Sequence, residues 1–153
     1  MGGLFCIQPV SGHRLQIFAL GLSHAIDRLS ENVYLIWYMK ILPAVFYISS
    51  NGHEPVREFL KDLGKPDSFI VGSDIKTVEL GWPIGMPLCR NLGQGIWEIR
   101  STISGHRIVR VLFFVIEGKM CLLHAFIKKT QETPQDELAL ALKRKAETER
   151  SAK

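Results

Sequence analysis

The sequence predicts an α+β domain: a small twisted antiparallel β-sheet flanked by helices, preceded by an N-terminal helical appendage. Three observations carry this expectation. Two stretches of helical apolar spacing lie between residues 56 and 80. Three strand-like runs then follow one another up to residue 128, joined by short connections that contain glycine. A last helical segment begins near Pro134. Helices segregated from a run of consecutive strands define the α+β class, and the predicted order is β-α-α-β-β-β-α.

In residues 1–38, Leu22, Ile26, Leu29, Val33 and Ile36 recur at helical spacing, which predicts one amphipathic helix. Met39-Lys40 reads as a fresh start. Residues 1–38 are therefore an extension, either a helical appendage or the product of an overlong gene start, and 39–153 form the main domain. Lys40 to Ile48 is rich in β-branched and aromatic residues and predicts a strand. Pro43 places that strand at an edge. After the Ser-Ser-Asn-Gly turn, Val56, Phe59, Leu60 and Leu63 stand at i, i+3, i+4 and i+7, a helix with one apolar face. Pro55 suits its first turn and Gly64 ends it.

A second helix runs from about Ser68 to Leu80, with Val71, Ile75 and Val78 on one side. The glycine- and proline-rich segment 81–95 reads as a loop. The three strands are Ile96 to Thr102, Ile108 to Glu117 and Met120 to Lys128, an antiparallel meander. The middle one, IVRVLFFVIE, is apolar almost throughout and should be central and covered on both faces. The closing helix spans about Pro134 to Arg150, with Thr133, Pro134 and Asp136 in a capping arrangement.

Composition bounds the function. The chain has 153 residues, 46% hydrophobic and 22% charged, which suits a globular domain and excludes wholesale disorder. Cys6, Cys89 and Cys121 form no C-x-x-C pair, so a zinc ribbon or disulfide framework is not expected. The greasy stretch from Leu15 to Tyr38 is interrupted by Asp27, Arg28 and Glu31, which argues against a membrane span and leads us to expect a cytoplasmic protein. The net charge of +4 is concentrated. Residues 90–129 hold Arg90, Arg100, Arg107, Arg110, Lys119, Lys128 and Lys129 against only Glu98 and Glu117. Such a field attracts polyanions.

No phosphate loop, dinucleotide fingerprint, zinc-protease or serine-hydrolase motif is present, and no cofactor or metal is called for. What remains is the basic strand cluster. Alternation puts Ile96, Glu98 and Arg100 on one face of their strand, and Leu122, His124, Phe126 and Lys128 on one face of theirs. Arg110 in the apolar middle strand, flanked by Arg100 and by Lys128-Lys129, would make a cationic floor for an RNA backbone. Arginine presents a fork of donors to phosphate oxygens and stays charged. The chemistry this permits is attack of a ribose 2′-OH on the adjacent phosphorus, with fixed cations stabilising the developing charge. His124 or Glu98 would take the proton, and Lys128, Lys129 or Arg110 would serve the leaving oxygen. Arg90, Arg107 and Lys119 are candidate RNA contacts. Each assignment has a structural alternative: Arg110 paired with Glu98 across the sheet, His124 satisfied in the core, Arg107 solvated in a turn, Lys128 and Lys129 at a solvated strand end.

The runs LGQGIWEIRS, RIVRVLFFVIEG and CLLHAFIKKTQETP, with DIKTVELGWPIGMPL upstream, resemble the phage-derived branch of the RelE/HigB-like toxin superfamily from about Met39 to Arg150. The resemblance implies the RelE/ParE-like toxin fold and a toxin of a type II toxin–antitoxin pair. Its activity would be metal-free cleavage of mRNA on the ribosome, held off by an antitoxin of the helix-turn-helix kind. Carried across by position, Arg100 and Arg110 match strand arginines of such toxins, the latter contacting the scissile phosphate. Lys129, beside Lys128, matches a basic residue after the last strand. The sequence also departs from the pattern. Trp97-Glu98-Ile99 replaces a lysine pair, no tyrosine follows in the last helix, and Ala125 replaces a glycine, so His124 becomes a substitute base. The same fold also carries gyrase poisons of the ParE kind, and a non-catalytic RNA- or antitoxin-binding copy is a third reading.

Overall fold

The computed structural model describes residues 42–128 and 133–152; the N-terminal extension and Lys129 lie outside them. Five strands, β1 (Ala44–Phe46), β2 (Cys89–Gly93), β3 (Ile96–Thr102), β4 (Ile108–Ile116) and β5 (Lys119–Ile127), and three helices, α1 (Pro55–Asp62), α2 (Lys65–Gly81) and α3 (Gln135–Ser151), follow the order β-α-α-β-β-β-β-α. The sheet order is β1-β5-β4-β3-β2. β2 to β5 are antiparallel, while β1 runs parallel to β5. The sheet is thus mixed: the path from β1 to its parallel neighbour β5 runs through two helices and three strands, long enough for the crossover that parallel pairing requires.

β4 is central, and Val109 through Phe114 are all buried, as its unbroken apolar run foretells. One face of the sheet packs on α1 and α2 through Val56, Val71, Ile75 and Val78, meeting Ile99, Val111, Phe113 and Leu122. The other packs on α3, where Ala141, Leu138 and Leu142 meet Ile96, Leu112, Phe114, Leu123 and Phe126. The result is three layers with a core on each side of the sheet.

The segment read as a loop contains β2. The sequence Leu-Gly-Gln-Gly-Ile closes a two-residue hairpin in which Gln94 and Gly95 both have positive φ, 52° and 76°, the turn geometry that matches strand twist. The β4–β5 connection repeats it with Glu117 and Gly118, at 49° and 72°. The signal was present in that turn, but the prolines just upstream masked it.

Strict alternation fails on β2, between Asn91 and Gly93, and again on β5, where it matters for the site. On β5, His124 pairs with Leu112 while Leu122 pairs with Phe113, so Leu123 is an extra residue in a β-bulge. Leu123 and His124 therefore both face α3, and Leu122 belongs to the opposite core. The expectation that Leu122 and His124 share a face is corrected by this one-residue insertion.

Candidate functional site

The α3 face of the sheet carries the charges. Arg90 on β2 stands opposite Glu98 on β3, and Arg100 on β3 stands opposite Arg110 on β4. Cross-strand partners share a face, so three guanidinium groups come from adjacent strands around one carboxylate. Arg110 Nη1 donates to Glu98 Oε2 at 3.0 Å, and Thr133 Oγ1 donates to the same oxygen at 2.7 Å. Arg110 Nη1 also hydrogen-bonds the Thr133 hydroxyl. Arg100 Nε lies 3.5 Å from the other oxygen, Oε1, which among the described residues accepts no hydrogen bond.

Burial separates the three arginines. The side chains of Arg110 and Glu98 are 2% and 1% exposed, Arg100 is a quarter exposed, and Arg90 lies in the open. Burial lowers the pKa of Arg110; Glu98 opposes this, and Arg100 and Arg90 add to it by like charge. The guanidinium nonetheless stays charged in a protein. The open cationic floor is therefore not what the fold builds at Arg110. That guanidinium is covered and bound to Glu98, and Arg100 is the one beside open space. Arg100 also borders a cavity of about 500 Å3 with Leu88, Thr102, Ile108 and Asp74.

His124 is likewise engaged. Arg144 Nη1 lies 3.1 Å from its Nδ1 and donates to Leu123 O at 2.8 Å. Guanidinium nitrogens only donate, so Nδ1 accepts, and the ring's proton sits on Nε2, against Glu137 Oε2. Burial lowers the His124 pKa, Glu137 raises it and Arg144 lowers it further. Both ring nitrogens are occupied, the arrangement of the alternative in which His124 is satisfied by hydrogen bonds. The ring stacks on Phe126 with centroids 5.7 Å apart, and Phe126 is the residue opposite Arg110.

The other candidates divide. Lys128 is half-buried just past β5, and its backbone N–H bonds Ile108 O at 2.7 Å. It continues the alternation that puts Phe126 on the Arg110 face. Lys119 begins β5, roughly 27 Å of strand from its far end, so the fold does not bring it to the arginines. Arg107 is held by Asp67, Nη2 to Oδ2 at 2.7 Å. Asp67 also accepts from Ser104 N and Oγ, at 3.1 and 3.0 Å, and these bonds fasten α2 to the β3–β4 turn. Its carboxyl is held below the usual range by Ser104's backbone and side-chain bonds first, and by Arg107 after them.

Sequence reasoning missed Thr133. The N-cap of α3 is Pro134, whose side chain has no acceptor; Thr133 lies one residue before it, and its hydroxyl turns to Glu98. No pattern in the sequence announces this, since residue 133 meets residue 98 only through the packing of α3. Among the described residues no cluster suited to a metal ion occurs, and no helix is long and apolar enough to cross a membrane.

Residues 58–146 match the family model described as Phage derived protein Gp49-like (DUF891). The chain belongs to this Gp49-like family. No curated protein matches the sequence. The matched segment of the Gp49-like chain runs from α1 into α3 and includes Arg90, Glu98, Arg100, Arg110 and Thr133. The complete charge cluster therefore lies within the family's own region.

Proposed function

We propose that this Gp49-like protein is the toxin of a type II toxin–antitoxin pair, a RelE/HigB-like endoribonuclease that cleaves mRNA on the ribosome in the cytoplasm. A helix-turn-helix antitoxin would restrain it. One observation carries the reading: Arg100 and Arg110, in direct cross-strand opposition, share the Glu98 carboxylate, and Arg90 stands opposite Glu98 on the same sheet face. Like charges placed opposite one another destabilise a sheet, and an anion relieves that repulsion. Arg100 and Arg90, the accessible pair, would bind the phosphodiester, and Arg110 would act from beneath by fixing Glu98.

In the proposed step the 2′-oxygen forms a bond to phosphorus and the bond to the 5′-oxygen breaks. The 2′-OH proton passes to Glu98 or, once its Nδ1 is released from Arg144, to His124. The 5′-oxygen regains a proton with Lys128 or Lys129 nearby. Arg100 contributes by stabilising charge on the phosphoryl oxygens.

A second reading, RNA or antitoxin binding without cleavage, is favoured by the covered Arg110 and the doubly engaged His124. Induced expression followed by primer-extension mapping of cellular mRNA separates the readings, with wild type beside Arg100→Ala. Codon-phased cuts that vanish in the variant support the nuclease. Growth arrest with intact mRNA and broken chromosomal DNA points to gyrase. An absence of arrest assigns the protein to binding alone.

A further inference from the structure

Glu98 makes the contacts that a bound phosphate would make. One oxygen takes Arg110 Nη1 at 3.0 Å and the Thr133 hydroxyl at 2.7 Å. The other faces Arg100 Nε at 3.5 Å, without a hydrogen bond among the described residues. The inner half of this seat is tight and buried. The outer half is loose and ends at a side chain a quarter exposed, beside a cavity of about 500 Å3. Arg90 completes the outer side from β2. Removing the carboxylate's charge would leave Arg100 and Arg110, directly opposed, without the charge that bridges them.

We propose that Glu98 is a built-in anion that competes with the substrate phosphate for Arg100. In the resting protein it neutralises Arg100 and Arg110 together. An incoming phosphodiester takes Arg100 over, with Arg90 alongside, while Glu98 keeps Arg110 and Thr133. The weak contact is the one exchanged and the strong contacts persist, so the exchange does not disturb the core. The carboxylate thereby lowers affinity for stray anions and admits only a ligand that can engage two guanidinium groups at once. This deepens the reading given above by assigning the regulation of its phosphate seat, but it concerns binding and does not require cleavage.

The test compares wild type, Glu98→Gln and Glu98→Asp for binding to a 2′-O-methyl RNA oligonucleotide and to inorganic phosphate. Glutamine keeps the shape and the hydrogen-bonding oxygen without the charge. Aspartate keeps the charge but withdraws it by one methylene. Glu98→Gln should bind both probes about tenfold more tightly, within the usual range for coupling between competing ligands, and Glu98→Asp should gain less. The thermal midpoint of Glu98→Gln should rise with added phosphate more steeply than that of wild type, since a ligand that binds only the folded state stabilises it. Adding Arg100→Ala to Glu98→Gln should erase the gain.

Unchanged or weaker binding in both Glu98 variants overturns the proposal while leaving a nuclease reading intact. Tighter binding in a protein that cuts no mRNA upholds it and removes the nuclease. If Glu98→Gln folds only in the presence of phosphate, that dependence supports the proposal directly. If it folds under no condition, Glu98→Asp decides.

Discussion

Arg100 and Arg110 stand directly opposite one another across the β3–β4 ladder, and Glu98, two residues before Arg100, bridges them through its two oxygens. The arrangement assigns different work to two residues that look alike in sequence. Arg110 holds the fold and orients the carboxylate. Arg100, a quarter exposed, reaches the same carboxylate from the solvent side.

Arg110→Ala should destabilise the protein by about 3–5 kcal/mol, the usual result of stranding one partner of a buried ion pair. Urea unfolding measures this. Pairing Glu98→Leu with Arg110→Met should recover most of the loss, because apolar residues of similar volume replace such pairs at little cost. A fully stable Arg110→Ala would mean that the pair contributes nothing to the fold.

Arg100→Ala should leave the unfolding midpoint within about 1 kcal/mol of wild type, as for a partly exposed ion pair. Its mRNA cleavage should fall roughly a hundredfold to a thousandfold, the loss typical of one transition-state donor. Single-turnover cleavage on programmed ribosomes reads this directly. Loss of folding and activity together would contradict the division of labour between the two arginines.

Thr133→Val removes a hydroxyl from a buried carboxylate and should cost about 1–3 kcal/mol. Because Thr133 immediately precedes α3, amide exchange in the first turn of that helix should quicken as well. Thr133→Ser keeps the donor and should behave like wild type in both measurements.

His124 has a folded pKa below its ordinary value of 6.5, through burial first, against an opposing effect of Glu137. The unfolded chain then binds the proton more readily. Stability from this group is complete above about pH 6.5 and declines as the pH falls toward the lower folded value. His124→Gln should flatten that part of the stability curve relative to wild type, as followed by thermal midpoints between pH 7 and 5. Identical slopes would mean that His124 titrates alike in both states.

Asp67→Asn should loosen the β3–β4 turn, since three bonds to Ser104 and Arg107 converge on that carboxylate. Faster exchange of the Ile103 amide, which bonds Arg107 O across the turn, is the expected readout.

The sequence alone determined the order of all three described helices and four of the five strands, because periodicity and turn residues are local properties. It marked β4 as the covered centre and Glu98 as the possible partner of Arg110. Family membership was legible from ungapped runs in β3, β4 and β5. Tertiary structure decided the rest. β1 lies parallel to β5, which it meets only after two helices and three strands, a pairing set by long-range packing. A bulge at Leu123 turns His124 toward Arg144 and Glu137, and α3 packing brings Thr133 to Glu98. Which cations stay open and which are covered depends on register and burial. Both arise from contacts between residues far apart in the chain, and spacing along a sequence carries no record of them.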